Sequence, residues 1–275
     1  NRAFSDISVI GPLGRSATDL DASIRIGAGP DSIRARGYKL NLPEWKGRSI
    51  SELKVAVWKN DSLAPVTRET ESRVEQVAEA LSSEGAKVDE AARPGFDPDH
   101  SHEIYGRLLH STMAARMPDG DYESLKKHVH ELDPDDQSEV ARTQRAQLSS
   151  FKEWAAANEL RHRIRWQWHD FFENHDVLLT PTTPTPAFKH DHRKFGDRTL
   201  RVDDEERNYF EGVFWAGLSG VAYLPSTILP TGLGVDGLPI GVQIIGPEYS
   251  DLVTIGLAGE LETMGFKFVP PKNYI

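Results

Sequence analysis

Cysteine is missing from all 275 residues of this chain. Disulfide bonds, iron–sulfur clusters, thiolate zinc sites and a cysteine nucleophile are therefore excluded together. The absence is compatible with a reducing compartment, and we expect a cytoplasmic protein.

Long apolar runs and an excess of basic residues are missing too. No uninterrupted stretch approaches the roughly 20 apolar residues that a membrane helix needs, and Asn1 does not begin a signal-peptide pattern. The formal net charge is -10, whereas a nucleic acid or an anionic membrane requires a basic face on its partner. We expect neither kind of partner.

The apolar pattern alternates between strands and helices. LKVAVW at 53–58 predicts a buried strand, 67–81 an amphipathic helix, and 87–88 a return to extended chain, which together indicate a parallel strand pair. Further strands are predicted at 7–10, 176–180 and 226–229. We therefore predict an α/β fold with a mixed β-sheet flanked by helices.

A mainly helical insertion is predicted at about 97–175. Breaks at Pro118-Asp119-Gly120 and at 134–136 divide it, and an apolar, aromatic-rich spine follows from 148 to 172. Residues 189–207 are expected to form a charged loop, and 209–218 a short helix. Aromatic residues at this spacing are far more often core than a ligand site.

The C-terminal block is dominated by LPIGVQIIGP at 238–247. Its β-branched residues predict a buried strand, and the turn-rich TGLGVDG before it indicates a hairpin with 226–229. Gln243 is a lone amide inside this apolar run and needs partners. Gly241 is expected to mark close approach of another chain segment.

Three segments together resemble the amidase signature family. They are IGPLGRSATDL at 10–20, DVLLTPTTPTPA at 176–187 and GLPIGVQ at 237–243, in the family's own order. The resemblance implies that residues 1–275 are the C-terminal part of a single amidase-like α/β domain. It also implies that the parent protein hydrolyses the carbon–nitrogen bond of a small amide through an acyl-serine intermediate, without a metal or organic cofactor.

The catalytic segment implied by that resemblance is not found. The family uses a serine nucleophile, a second serine in a cis peptide and a lysine, held by a glycine- and serine-rich loop, since a serine hydroxyl needs a neighbouring base. Ser82-Ser83 stands at a predicted helix end and Ser149-Ser150 inside a helical pattern, and glycine pairs do not occur. We assign no catalytic residue here and expect this chain alone to be inactive.

Three interpretations of the chain follow. In the first, the catalytic residues lie upstream in the parent protein, and an N-terminal catalytic part is the partner of this chain. In the second, a separate chain supplies them. In the third, the chain is a catalytically silent binding or assembly module, and a homo-oligomer is a further expectation because surfaces left uncovered seek partners.

Four residues are candidate substrate contacts. Ligands bind at strand ends in open α/β sheets, which favours Thr182, Thr183 and Trp215, with Gln243 as a buried amide. Loop rigidity and core packing explain the same residues equally well. Arg15, between a glycine turn and the predicted helix cap Ser16, is grouped with Gly241 as a structural motif, with a structural ion pair as its simpler explanation.

Histidine pairs of the H-x-H type occur at 100/102, 128/130 and 190/192. Two imidazoles at alternate positions of a strand can bind one metal ion, but each pair lies in a helical or loop context without a third ligand at motif spacing. We interpret them as solvated histidines and predict no metal site.

Overall fold

The computed structural model describes residues 5–271, apart from the side chain of Phe195. Eight α-helices occur in this range: α1 Ala17–Gly27, α2 Arg68–Ser83, α3 Pro98–Ala114, α4 Asp119–Glu131, α5 Glu139–Gln147, α6 Phe151–Phe172, α7 Phe214–Gly220 and α8 Asp251–Thr263. The strands in the same range are β1 Lys54–Val57, β2 Lys87–Asp89, β3 Val177–Pro181, β4 Thr199–Val202, β5 Glu205–Asn208, β6 Ser226–Leu233 and β7 Pro239–Ile245. A 3-10 turn, Tyr209–Val213, leads directly into α7.

The main sheet is mixed, in the order β2-β1-β3-β7-β6. β1 is parallel to β2 and to β3, whereas β7 is antiparallel to both β3 and β6. The predicted βαβ unit and the predicted C-terminal hairpin are both present. β2 and β6 are the two edge strands of this sheet.

Two layers of helices cover the sheet, because alternate residues of each strand point to opposite faces. Val55 and Val57 of β1 pack with helices α1, α2 and α8, in a core that includes Val74 and Leu257. Ala56, from the same strand, packs on the other side with α3, α6 and α7. A mixed sheet flanked by helices, as predicted, is the result.

Helices α3 to α6 lie between β2 and β3, where the sequence predicts a helical insertion. The pair Ser149-Ser150 is not inside a helix as expected, but at the break between α5 and α6. The Ser150 hydroxyl caps α6 by accepting from the Glu153 N–H, and the Glu153 carboxylate accepts from the Ser150 N–H. This reciprocal capping box satisfies backbone groups that the first turn of a helix leaves free.

The run ISVI at 7–10 was expected to form a strand, and this prediction is wrong. Ile7 has φ 61°, outside the β region, and Val9 and Ile10 are 87% and 101% exposed. The turn follows Asp6, whose carboxylate accepts a 2.7 Å bond from the Arg161 guanidinium. An extended segment without a neighbouring strand does not form a ladder.

The charged segment 189–207 was expected to be a loop, and it is ordered in its second half. β4 and β5 form an antiparallel hairpin that turns at Asp203, with φ 49°. Leu200 and Val202 are buried on one face of this hairpin, while the other positions hold Thr199, Asn208 and charged residues. Period-two burial is present, but the high charge of the segment obscures it.

Within residues 5–271, no helix combines the length and the apolar character needed to cross a bilayer.

Candidate functional site

A concave pocket of about 370 Å³ lies at the carboxyl end of β3. Its walls come from five parts of the fold: residues 14–20 around the start of α1, the loop after β3, the β6–β7 hairpin, the last turns of α8, and Phe268 beyond that helix. Four residues singled out by the sequence line it, namely Arg15, Thr182, Thr183 and Gly241. Motifs far apart in the chain therefore meet at one place only through tertiary folding.

The two threonines of the proline-rich loop play different parts in this wall. The Thr182 hydroxyl is buried and has no hydrogen-bond partner among the described residues. The Thr183 hydroxyl donates to the Thr185 carbonyl at 2.7 Å, and so fixes the loop. A buried hydroxyl without a partner costs free energy unless a ligand or water satisfies it, and Thr182 is therefore the stronger candidate for substrate contact.

Gly241 lets the two hairpin strands and the loop approach closely. A Cβ atom at this position would lie 3.0 Å from Ile228 Cγ2 and 3.4 Å from Thr182 Oγ1. These distances show the close approach of neighbouring segments that the sequence indicated at Gly241. A side chain at 241 would press on the strand partner and on the pocket wall together.

Arg15 lies at the rim, where the pocket adjoins a second cavity of about 490 Å³ that Arg15 also lines. Its backbone N–H donates to the Asp19 carboxylate at 3.1 Å, and its guanidinium stands 5.3 Å from the Phe268 ring centroid. Within residues 5–271 the structural ion pair suggested as the simpler explanation of Arg15 is not formed. Stacking on an aromatic ring holds the cation instead.

Glu262 is a pocket residue that sequence reasoning missed. This α8 side chain accepts a 2.7 Å hydrogen bond from the Ala17 N–H, in the first turn of α1. The Ser16 hydroxyl accepts from the Asp19 N–H and satisfies a second free donor of the same turn. A contact across 245 residues leaves no local signal, because nothing near Glu262 in the sequence indicates which helix end it meets.

Trp215 and Gln243 do not line this pocket. Trp215 is fully buried, and its indole N–H donates to the Ala64 carbonyl at 3.1 Å. The Gln243 amide nitrogen donates to Thr180 Oγ1 at 3.0 Å and to the Trp215 carbonyl at 3.2 Å. The lone amide thus joins β3, β7 and α7 behind the pocket, and substrate contact by either residue stays a prediction.

The arrangement can bind a ligand, but two of the serines considered above already form hydrogen bonds within helices. Ser83 donates to the Glu79 carbonyl inside α2, and Ser150 caps α6. Among the described residues, no group of three or more His, Asp, Glu or Cys side chains is placed to hold a metal ion.

Comparison with known proteins agrees with the motifs. The family model described as Amidase matches residues 1–254. A glutamyl-tRNA(Gln) amidotransferase subunit from Synechococcus sp. (strain JA-2-3B'a(2-13)) is 27% identical, over 97% of this chain and 54% of the relative. The corresponding protein from Deinococcus radiodurans is 29% identical, over 95% of this chain and 56% of the relative.

Solved structures show the same fold. A bacterial aryl acylamidase of the amidase signature family has a TM-score of 0.67 and 21% identity, over 92% of this chain and 52% of that chain. A protein from a vestigial complex related to an s-triazine catabolic enzyme has a TM-score of 0.69 and 18% identity, over 95% and 54%. The chain spans about half the length of the relatives it matches. With three motifs, a mixed sheet flanked by helices and a family match over 254 residues, this chain belongs to the amidase signature family.

Proposed function

We propose that residues 1–275 form the C-terminal part of a single amidase-like domain whose catalytic serine, cis-peptide serine and lysine lie upstream. The parent protein would hydrolyse the carbon–nitrogen bond of a small amide. One observation carries this proposal. This chain belongs to the family and spans about half the length of its relatives, and it has a pocket wall at a strand end without the serine loop. The mainly helical segment at about 97–175 is then an insertion in that domain.

The reaction implied by the family is acyl transfer. The serine oxygen forms a bond to the amide carbonyl carbon, the C–N bond breaks, and the amine leaves with a proton. Water then releases the acid from the acyl-serine. The part of this chain in that reaction is to hold the amide, with the Thr182 hydroxyl donating a hydrogen bond and Gly241 leaving room beside it.

The proposed N-terminal part needs a docking surface, and exposed apolar residues of segment 9–13 and of edge strand β6 are the candidates. Val9, Ile10 and Leu13 are 87 to 101% exposed, and Ile228 on edge strand β6 is 51% exposed. Exposed apolar residues beside an unpaired strand edge are typical of an interface. We propose that the catalytic part covers this apolar strip, defined as residues 9–13 with Ile228.

The experiment is expression of the gene with its upstream reading frame, next to the 275-residue chain. Release of ammonia or amine from a panel of small aliphatic and aryl amides is measured for both proteins. We expect hydrolysis by the longer protein only, abolished when the upstream loop serine is changed to alanine. Stoichiometric phosphonylation of a serine of the 275-residue chain by a fluorophosphonate, with fluoride as the leaving group, would refute the assignment of catalysis to the upstream part.

The non-enzymatic alternative keeps one supporting observation: the described residues form helix layers on both faces of the sheet and two hydrophobic cores. A binding or assembly module would be expected if the upstream frame lacks the serine loop. The proposed reaction is cleavage of a carbon–nitrogen bond, without a particular amide as substrate. Substrate specificity depends on a pocket that this chain and the N-terminal part would line together. A cytoplasmic location remains a prediction.

A further inference from the structure

Two histidines of α3 face the segment 209–220, which comprises the 3-10 turn and α7. The His102 ring lies 5.7 Å from the Phe214 ring, and the His110 ring 6.4 Å from the Phe210 ring. The Nδ1 atom of each histidine is buried and has no hydrogen-bond partner among the described residues. Each imidazole is thus packed against an aromatic ring on the facing segment.

Polar support at these imidazoles is weak. His110 Nε2 lies 3.4 Å from Thr143 Oγ1 of α5, a long contact. Burial lowers the pKa of His102 and of His110, and Arg142 lowers that of His102 further, while Asp99 and Glu211 act in the opposite direction. The pKa of His110 is also lowered by the neighbouring charge of His102.

Other titratable groups around this contact are few. Glu139 of α5 has its pKa raised by burial, and Glu211 on the 3-10 turn is paired with Arg207 of β5 at 2.8 Å. α7 carries no titratable residue. Helix α6 contributes apolar residues to the core it shares with α3. Burial raises the pKa of the partly buried Tyr105 of α3, which lies against glycines of α7.

The segment 209–220 also supports the wall behind the pocket. Gly212 lies beside Pro184 of the proline-rich loop, since a Cβ atom there would be 3.9 Å from Pro184 Cδ. The Trp215 carbonyl accepts from Gln243, which also bonds Thr180 at the end of β3. Movement of this segment would therefore reach the loop that carries Thr182.

We propose that the contact between α3 and segment 209–220 is a proton-sensitive joint, closed when His102 and His110 are neutral and opened when they are protonated. An imidazolium beside Phe214 or Phe210 has no buried partner for its charge and must therefore be hydrated. Separation of α3 from the segment gives water access to it. The inference is independent of the proposed catalytic function, because it concerns only packing within this chain.

The direction with pH follows from linkage. In the opened state the histidines regain a pKa near 6.5, above that in the closed state, so opening takes up protons. The closed state is most stable above about pH 6.5. As pH falls below this value, the ratio of closed to open molecules decreases by up to about tenfold per pH unit for each histidine. Glu139 acts with the opposite sign, because its raised pKa favours the closed state in acid.

Hydrogen exchange read by mass spectrometry tests the joint in the 275-residue chain, at pH 7.5 and 5.5, after correction for intrinsic amide exchange. We expect protection of α3 and 209–220 to fall by about tenfold or more at pH 5.5, while α8 changes little. The double variant His102→Gln/His110→Gln should lose this pH dependence. His100→Gln is the matched control, since the His100 side chain on the same helix is 52% exposed, and it should behave as wild type.

Equal loss of protection throughout the chain would overturn the proposal, as would unchanged protection of α3 at pH 5.5. NMR titration of the wild-type imidazoles covers the case in which the double variant does not fold. The signals of His102 and His110 should titrate below about pH 6.5, the ordinary value of a histidine. Signals of these two residues that titrate at or above that value would also overturn it.

Discussion

At the scale of single residues, Gly241 and Thr182 show how little space the pocket wall leaves. Gly241→Val places a branched side chain where even a Cβ atom would meet Ile228 Cγ2 at 3.0 Å. We expect a loss of roughly 1 to 3 kcal/mol in the free energy of unfolding, from overpacking. Thermal and urea unfolding measure it.

Two controls accompany this substitution. Gly106→Val makes the same change in α3, where nothing lies within 4 Å of the new Cβ, and His190→Ala changes an exposed loop residue. Both should stay within about 0.5 kcal/mol of wild type. Equal thermal shifts for Gly241→Val and these controls would contradict the close approach at 241.

Thr182 allows stability to be separated from binding. Thr182→Val removes a buried hydroxyl that has no partner among the described residues, so the free energy of unfolding should be unchanged or slightly higher. Thr183→Val, which removes the bond to the Thr185 carbonyl, should cost about 1 kcal/mol.

The same pair tests the proposed substrate contact in the longer protein. Thr182→Val should raise KM or lower kcat/KM by about tenfold, the effect of one lost hydrogen bond, while Thr183→Val has a smaller effect. An unchanged kcat/KM in Thr182→Val would remove Thr182 from the substrate contacts.

At the scale of elements, Glu262 joins the last turn of α8 to the first turn of α1. Glu262→Ala leaves the Ala17 N–H without its acceptor, and we expect a loss of about 1 to 2 kcal/mol in the free energy of unfolding. Glu262→Gln retains an acceptor oxygen and should lose less than half as much.

The matched control for Glu262 is Glu159→Ala. Glu159 forms an exposed i,i+4 ion pair with Arg163, with side chains 67% and 70% exposed, and its loss should cost a few tenths of a kcal/mol. Urea unfolding of the three variants is the measurement. A Glu262→Ala loss no greater than that of Glu159→Ala would show that the cap does not hold α1.

At the scale of the whole molecule, the apolar strip predicts association. The isolated chain should self-associate through this strip, or copurify with its N-terminal part, because Val9, Ile10 and Leu13 otherwise face water. Light scattering with native mass spectrometry measures this. A monodisperse monomer of 30.7 kDa without a bound peptide would contradict it.

A pair of charge substitutions locates the association. Ile10→Lys should reduce it by introducing a cation into the strip. Ile26→Lys, at an 88% exposed position on α1 outside the strip, should leave it unchanged. If both variants behave alike, the contact lies elsewhere on the molecule.

The sequence by itself determined the parallel βαβ pair, the C-terminal hairpin and the family. These depend on local periodicity, on turn residues and on three motifs that are readable without contacts. The strand expected at 7–10 is not formed, because a strand also requires a partner. The chain turns after Asp6, whose carboxylate is bonded to Arg161. The β4–β5 hairpin was hidden by the charge on its exposed face.

The tertiary structure alone decided which candidate residues meet. Arg15, Thr182, Thr183 and Gly241 line one pocket because α1, the loop after β3 and the β6–β7 hairpin come together there. Gln243 lies two residues further along β7, beneath α7, and its amide nitrogen therefore donates to Thr180 and to the Trp215 carbonyl instead of facing the pocket. Spacing along the chain predicts the face of an element, but contacts between distant elements, such as Glu262 with α1, depend on how the elements pack.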